Sequence, residues 1–254
     1  MSEEAPGPSV RIVLVRPKAS ENVGAAARAM KNFGLRELWL VAPRCRIDRG
    51  ARALASHAGD VLEAARSVAT LDEALADVHW AAGTSARVRA SEAVRTHVPD
   101  EGLATLPDRG GALVFGPEDH GLANEELDRC QALIRISTAA YASINLAQAV
   151  NLLAHRWFET RAGSGAADPP PDSAPREQME RMYRQLVDLW HTIGYTDAQR
   201  EEATLRLFRG LLDRARPTPR ELAALRGLIS QAAWAAERDP GRLPGRASGT
   251  GSSR

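Results

Sequence analysis

From Val10 to about Ala162, short apolar runs alternate with segments whose apolar residues recur at helical spacing. This order predicts an α/β domain with a mainly parallel sheet, because each strand is followed by a helical return to the same end. The apolar runs at 11–15, 38–41, 78–82, 112–115 and 133–136 are the expected strands. Between the first two, Val23, Ala26, Ala27 and Met30 fall on one helical face, and Gly34 is placed to cap that helix. Thr70-Leu-Asp-Glu73 reads as a capping box, and Asn124 followed by Glu125 and Glu126 reads as a helix N-cap. The last helix of the domain carries Leu146, Ala149, Val150, Leu153 and Trp157 on one side.

The pattern then changes. Residues 162–175 contain little to bury and three consecutive prolines, which predicts an extended linker. Beyond it, Met179, Met182, Leu186, Leu189 and Ile193 outline an amphipathic helix that stops at Gly194, and Leu205, Phe208 and Leu212 outline a second. Thr218-Pro-Arg-Glu221 opens a third with a capping threonine, proline at the first helical position and a reciprocal glutamate. The expected organisation is a disordered start at 1–9, an α/β domain at 10–161, the linker, a small all-helical module at 176–238, and a disordered Pro/Gly/Ser/Arg tail at 239–254.

Composition narrows the class of protein. With 254 residues and 44% hydrophobic positions, the chain can hold one substantial domain and a smaller one. No apolar stretch approaches the roughly 20 residues of a membrane span, and the first residues lack the pattern of a signal peptide, so no membrane partner and a cytoplasmic location are expected. Cys45 and Cys130 form no CxxC pair, which suggests neither a zinc site nor a disulfide framework. A net charge of +1 is neutral toward nucleic acid, although a local basic face still permits RNA binding. All the basic residues except Lys18 and Lys31 are arginines, a bias that genome composition explains as well as phosphate binding does.

Three segments place glycine or polar residues just after a strand, where open α/β sheets bind ligands. In Asn22-Val-Gly-Ala-Ala-Ala-Arg28, Gly24 and Arg28 lie four apart and away from the apolar stripe, so Arg28 either faces a cleft or is an ordinary exposed helix arginine. In Phe115-Gly-Pro-Glu-Asp-His-Gly-Leu122, Gly116 and Gly121 would admit a close backbone approach to a ligand, and Glu118 is either a site carboxylate or a surface turn acid. His120 has no second ligand at metal spacing. In Tyr141-Ala-Ser-Ile-Asn-Leu146, Ser143 and Asn145 offer polar groups beside a helix start, as a site or as a plain N-cap. Neither GxGxxG nor GxxxxGK[ST] occurs, which weakens dinucleotide and nucleoside-triphosphate readings.

In this order the three segments resemble the signature motifs of the TrmH-like branch of the SPOUT methyltransferases. The similarity runs through Gly83-Thr-Ser-Ala-Arg87 and continues at 207–217 and 221–229, where it points to the TrmJ type. Ser20-Glu21 stands where a proline is common, and Ala142 where many relatives have a second serine.

The resemblance implies a trefoil knot at the C-terminal end of the α/β domain, a homodimer, and S-adenosyl-L-methionine (SAM) held among the knot loops without a metal. Thr84, Ser85, Ala86, Gly116, Ile136, Ser143, Ile144 and Asn145 would line the cofactor site. The implied reaction is methyl transfer to a ribose 2′-oxygen of tRNA, at the cytidine or uridine of nucleotide 32 in the anticodon loop. Holding the oxygen and methyl in line supplies roughly 7–11 kcal/mol of such a barrier.

Arg28, Asn22, Glu118, Ser143 and Asn145 are the implied catalytic set. Because arginine side chains stay protonated at any physiological pH, Arg28 is read as an electrostatic anchor for RNA phosphate or developing alkoxide rather than as a base. Arg206, Arg209, Arg214 and Arg216, with Arg220 and Arg226, would add an RNA-binding face opposed only by Asp213 and Glu221; a solvated helix surface is the other reading. Arg87, Arg89 and Arg95 are further candidates. The alternatives are a ribosomal-RNA 2′-O-methyltransferase, a non-catalytic RNA-binding protein with the same fold, and a nucleotide-binding regulator.

Overall fold

The run Val-Arg-Ile-Val-Leu-Val becomes the strand β1 (Val10–Val15), buried at every position. Such a strand is covered on both faces, as parallel sheets require. The computed structural model describes residues 8–85, 96–139, 144–161 and 171–238. They divide after Pro171 into two units.

The first unit contains β2 (Leu38–Val41), β3 (Arg66–Val68), β4 (Trp80–Thr84), β5 (Thr96–His97), β6 (Gly111–Phe115) and β7 (Ala132–Ile134) beside β1. They form one sheet in the order β3-β2-β1-β6-β4-β7-β5. Every pairing is parallel, with Ile12 opposite both Leu38 and Leu113. The direction of strand addition reverses between β1 and β6, and their carboxyl ends open a crevice there.

Alternate residues feed two cores. Ile12, Leu14, Leu40, Leu113 and Phe115 face helices α1 (Ser20–Asn32), α2 (Arg49–Ala55), α3 (Gly59–Glu63), α5 (Pro99–Ala104) and α7 (Leu146–Arg161). Val13, Val15, Val41, Ala112 and Val114 face α4 (Leu71–Leu75) and α6 (Asn124–Leu127). The expected face of α1 is buried, and the chain leaves it with Gly34 N–H donating to Lys31 O and Leu35 N–H to Met30 O.

The five expected strands are present, with 78–82 displaced to 80–84 and 133–136 shortened to 132–134. β3 and β5 were not expected. They are edge strands of three and two residues with no apolar run, paired because a neighbouring strand offers its backbone. Thr70 caps α4 by accepting from Glu73 N–H, while its own hydroxyl donates to the Glu73 carboxylate. Asn124 is not the cap of α6 but its first residue, since Glu126 accepts the Ala123 N–H and satisfies that end.

Gly24 corrects another expectation. It does not lie away from the apolar stripe: it is buried, and an added Cβ would fall 2.0 Å from Ala51 O of α2. The bare Cα lets α1 and α2 touch through their backbones.

The second unit contains α8 (Arg176–Ile193), α9 (Glu201–Ala215) and α10 (Pro219–Arg238). α10 starts with a complete capping box: Thr218 N–H donates to Glu221, and Glu221 N–H donates to the Thr218 hydroxyl. Residues expected at the end of the linker belong to this unit, because Ala174 is buried in its core and donates its N–H to Pro217 O. Met179, Met182, Tyr183, Leu189, Leu222 and Ile229 make that core, to which α9 adds only partly buried side chains.

α9 is held by charge as well. Arg209, expected on an RNA-facing surface, is 6% exposed, donates from both terminal nitrogens to Glu180, and stacks 4.4 Å from the Tyr183 ring. Arg176 bridges Glu180 and Asp213 at 3.0 and 2.8 Å. Asp213 is therefore the partner of a buried arginine rather than a surface acid. Arg206 pairs with Glu202, and Arg226 donates to Gln185. Arg214, Arg216 and Arg220 are exposed.

The expectations for residues 1–7, most of the linker (162–170) and the tail (239–254) fall outside the described residues, as do Ala86, Arg87, Arg89, Arg95 and Ser143. Of the C-terminal end of the α/β domain, where the knot was expected, residues 140–143 also fall outside them. Among the described residues no helix is long and apolar enough to cross a membrane, and no cluster of three His, Cys, Asp or Glu residues has metal-site geometry.

Two substitutions test this packing by urea unfolding. Gly24→Ala must push α1 off α2 and is expected to lower stability by about 2–4 kcal/mol. Gly59→Ala, where nothing lies within 4 Å, is its near-neutral control. Tyr183 carries a buried hydroxyl with no hydrogen-bond partner among the described residues. Tyr183→Phe is therefore expected to leave stability unchanged or raise it by about 1 kcal/mol, and a clear loss would reveal an unrecognised partner for the hydroxyl.

Candidate active site

The carboxyl ends of β6, β4 and β7, adjacent in the sheet, open into a cavity of about 390 Å³. Leu122, Leu127, Ile134, Ile136, Ile144, Leu146 and Ala149 give it apolar walls, and Thr84, Ser85 and residues 115–121 supply the rest. The Thr84 hydroxyl is turned into the sheet, donating to Val114 O at 3.2 Å, and Ser85 N–H donates to Ile134 O. Of the residues implied for cofactor contact, Thr84, Ser85, Gly116, Ile136 and Ile144 line this cavity.

Gly116 lines the cavity and also serves the loop itself. A Cβ there would lie 2.2 Å from Gly121 C and Leu122 N, so the loop from 116 to 122 can close only over a bare Cα. Gly121, with φ +71° and open space around its Cα, completes the turn.

That loop aims Glu118 at the switch point between β1 and β6. The segment leaving β1 meets it with two backbone donors, Lys18 N–H at 3.2 Å and Ala19 N–H at 3.4 Å, and Asn22 Nδ2 donates to Oε1 at 2.7 Å. Burial pushes the Glu118 carboxyl up, but hydrogen bonds from Asn22 and the backbone outweigh it and hold the group below the usual range. Glu118 is thus an ionised acceptor at neutral pH.

Its acceptor-only character orients two amides in turn. Asn22 must present its amide nitrogen to Glu118, which leaves Oδ1 to accept from Asn145 Nδ2 at 2.9 Å. Asn145 Oδ1 in turn accepts the N–H groups of Ala147 and Gln148, capping α7. Capping α7 and bonding across to Asn22 thus fall to one residue.

Asn22 and Asn145 do not line the apolar cavity. They border a separate groove between α1 and α7, together with Arg28, Gln148 and Asn151. Arg28 is exposed there, one turn and a half along α1 from Asn22. The Glu118–Asn22–Asn145 chain therefore joins the wall of the cavity to the groove that holds the arginine. Asp48 steadies the start of α1, accepting from the Ser20 hydroxyl at 2.7 Å and from Ala51 N–H at 3.1 Å.

Sequence reasoning missed Lys18. Its backbone grips Glu118 while its ammonium pairs with Asp119, so one residue holds two successive carboxylates of the facing loop. One of only two lysines in an arginine-rich chain was the available signal. His120 was set aside for want of a neighbouring ligand, yet its Nδ1 lies 2.7 Å from Asp119.

The family model for the SpoU rRNA Methylase family matches residues 9–155, and that for the C-terminal domain of tRNA methyltransferase TrmJ matches 177–241. The tRNA (cytidine/uridine-2'-O-)-methyltransferase TrmJ of Salmonella typhimurium is 38% identical over 231 residues, covering 87% of this chain and 95% of its own. Its namesake in Escherichia coli K12 is 37% identical over 87% and 94%. The crystal structure of TrmJ from Z. mobilis ZM4 is 33% identical, with a TM-score of 0.76 over 87% of this chain and 98% of that one. The first family model spans more than half of the chain and the second lies on its helical unit, so the chain belongs to the SpoU branch of the SPOUT methyltransferases and is of the TrmJ type.

Proposed function

We propose that this enzyme transfers a methyl group from SAM to the ribose 2′-oxygen of the cytidine or uridine at nucleotide 32 of tRNA. The observation that carries the reading is the Glu118–Asn22–Asn145 chain, which couples an apolar cavity to an exposed arginine in the adjoining groove. The relatives are named for 2'-O-methylation of cytidine and uridine in tRNA, which fits it.

The cavity suits the cofactor. Its volume lies within the roughly 300–1,000 Å³ of small-molecule sites, and its apolar walls accept a flat base. Glu118 at its edge complements a positively charged ligand. Bound there, SAM supplies an electrophilic methyl group on a sulfonium. Arg28 provides a fixed cation for a phosphate or for the ribose oxygen as it gains negative charge. Asn22 and Asn145 are locked in one amide orientation, and each Nδ2 has a second hydrogen with which to hold the nucleotide. These residues bind and orient, which is the main need of an in-line transfer.

The exposed Arg214, Arg216 and Arg220 of the helical unit support phosphate binding, with Arg209 and Arg226 withdrawn from that set. A homodimer is the proposed assembly. Leu54, Leu152 and Phe158, between 36% and 50% exposed, offer an apolar contact on the α/β unit. A tRNA substrate supports a cytoplasmic location.

Incubating the protein with SAM and total unmodified RNA, then mapping ribose methylation, is expected to find a new mark at nucleotide 32 of tRNA. Modification confined to ribosomal RNA would overturn the substrate, and SAM binding without any transfer would favour a non-catalytic RNA-binding role. Arg28→Ala is expected to lower the rate by at least about 100-fold while SAM affinity stays within a few fold, because Arg28 lies outside the cavity. Arg28→Lys separates roles: appreciable activity indicates a simple cation, and a loss as deep as that of alanine indicates a planar fork on two oxygens.

A further inference from the structure

The motif loop carries an assembly that the proposed reaction does not use. Lys18, on the segment leaving β1, donates its ammonium to Asp119, and Asp119 lies 2.7 Å from His120 Nδ1 through its other oxygen. His120 is half-exposed and lines the cavity at the carboxyl edge of the sheet.

The order of these groups determines the imidazole. The Lys18 hydrogen bond holds Asp119 well below the usual carboxylate range, at about 2, so Asp119 can only accept. Nδ1 must then carry the hydrogen. In the neutral ring the remaining polar atom, Nε2, is left as a lone-pair acceptor. The same loop already contributes Glu118, whose bonds are taken by Asn22 and the backbone of Lys18 and Ala19, so Glu118 does not compete for Nδ1.

We propose that His120, fixed in its Nδ1–H form by the Lys18–Asp119 pair, is a cofactor-binding residue whose Nε2 accepts a hydrogen bond from an N–H or O–H donor of the nucleoside cofactor. This rests on the reading of the cavity as the SAM site. SAM carries such donors at two places, the hydroxyls and amine of its adenosine and the ammonium of its amino-acid end. Asp119 acts through His120 and is a positioning residue.

Calorimetric titration of the full-length protein with S-adenosylhomocysteine tests the assignment. His120→Leu is expected to weaken binding roughly 2- to 12-fold, the worth of one hydrogen bond, whereas His120→Gln, whose amide oxygen accepts, retains most of the affinity. Asp119→Ala is expected to weaken binding by a smaller factor, and to have no effect in the His120→Leu background, which a purely structural role of Asp119 would not produce. Repeating the titration with 5′-methylthioadenosine locates the donor: an equal penalty assigns it to the adenosine, and a penalty seen only with S-adenosylhomocysteine assigns it to the ammonium. Unchanged affinity of His120→Leu for both ligands overturns the role of His120 alone. Failure of the unaltered protein to bind S-adenosylhomocysteine overturns the cofactor reading, and this inference with it.

Discussion

A carboxylate drawn partly out of water at the edge of a parallel sheet stays ionised only if donors replace the water it has lost. Glu118 is that group, and the segments that supply its donors are the ones that make the site. Two backbone N–H groups come from the chain leaving β1 and an amide from the first turn of α1. Through Asn22 the requirement passes to Asn145 and so to the start of α7. Two helices far apart in sequence are thereby held against one loop, and the groove between them takes its shape from that bond chain as well as from the apolar core below.

Close backbone contact makes the chain possible. Gly24 lets α1 lie directly on α2, which sets the height of α1 above the sheet, and Arg28 rides on the same helix one turn later. Gly116 lets the motif loop fold over itself and deliver Glu118, Asp119 and His120 in succession to the crevice. The position of each charged side chain thus depends on a residue with no side chain, and the two kinds of residue recur within single short motifs for that reason.

Much of the α/β unit was legible because its strands are buried on both faces and so carry apolar runs long enough to read, as at 10–15 and 111–115. β3 and β5 were not, since a strand of two or three residues paired at an edge needs no hydrophobic signature. The site motifs could be located after the strand ends, yet their residues remained ambiguous: nothing in a linear pattern says whether Asn145 caps a helix or bonds across 123 residues, and it does both. The arginines of the helical unit show the opposite limit. Spacing alone groups Arg206, Arg209 and Arg214 together, but burial depends on which face of α9 meets α8, and Glu180, 29 residues away from Arg209, decides it. The resemblance to a methyltransferase family supplied the reaction, which periodicity and composition could not.

The four charged residues between α8 and α9 also constrain how this module can vary. Arg176, Glu180, Arg209 and Asp213 sum to zero formal charge inside it. Replacing any one by a neutral residue leaves a net charge in a medium that solvates it poorly, while replacing the whole set by apolar residues of similar volume does not. Substitutions that change charge at these positions are therefore tolerated only in compensating sets, a restriction that the exposed faces around them do not share.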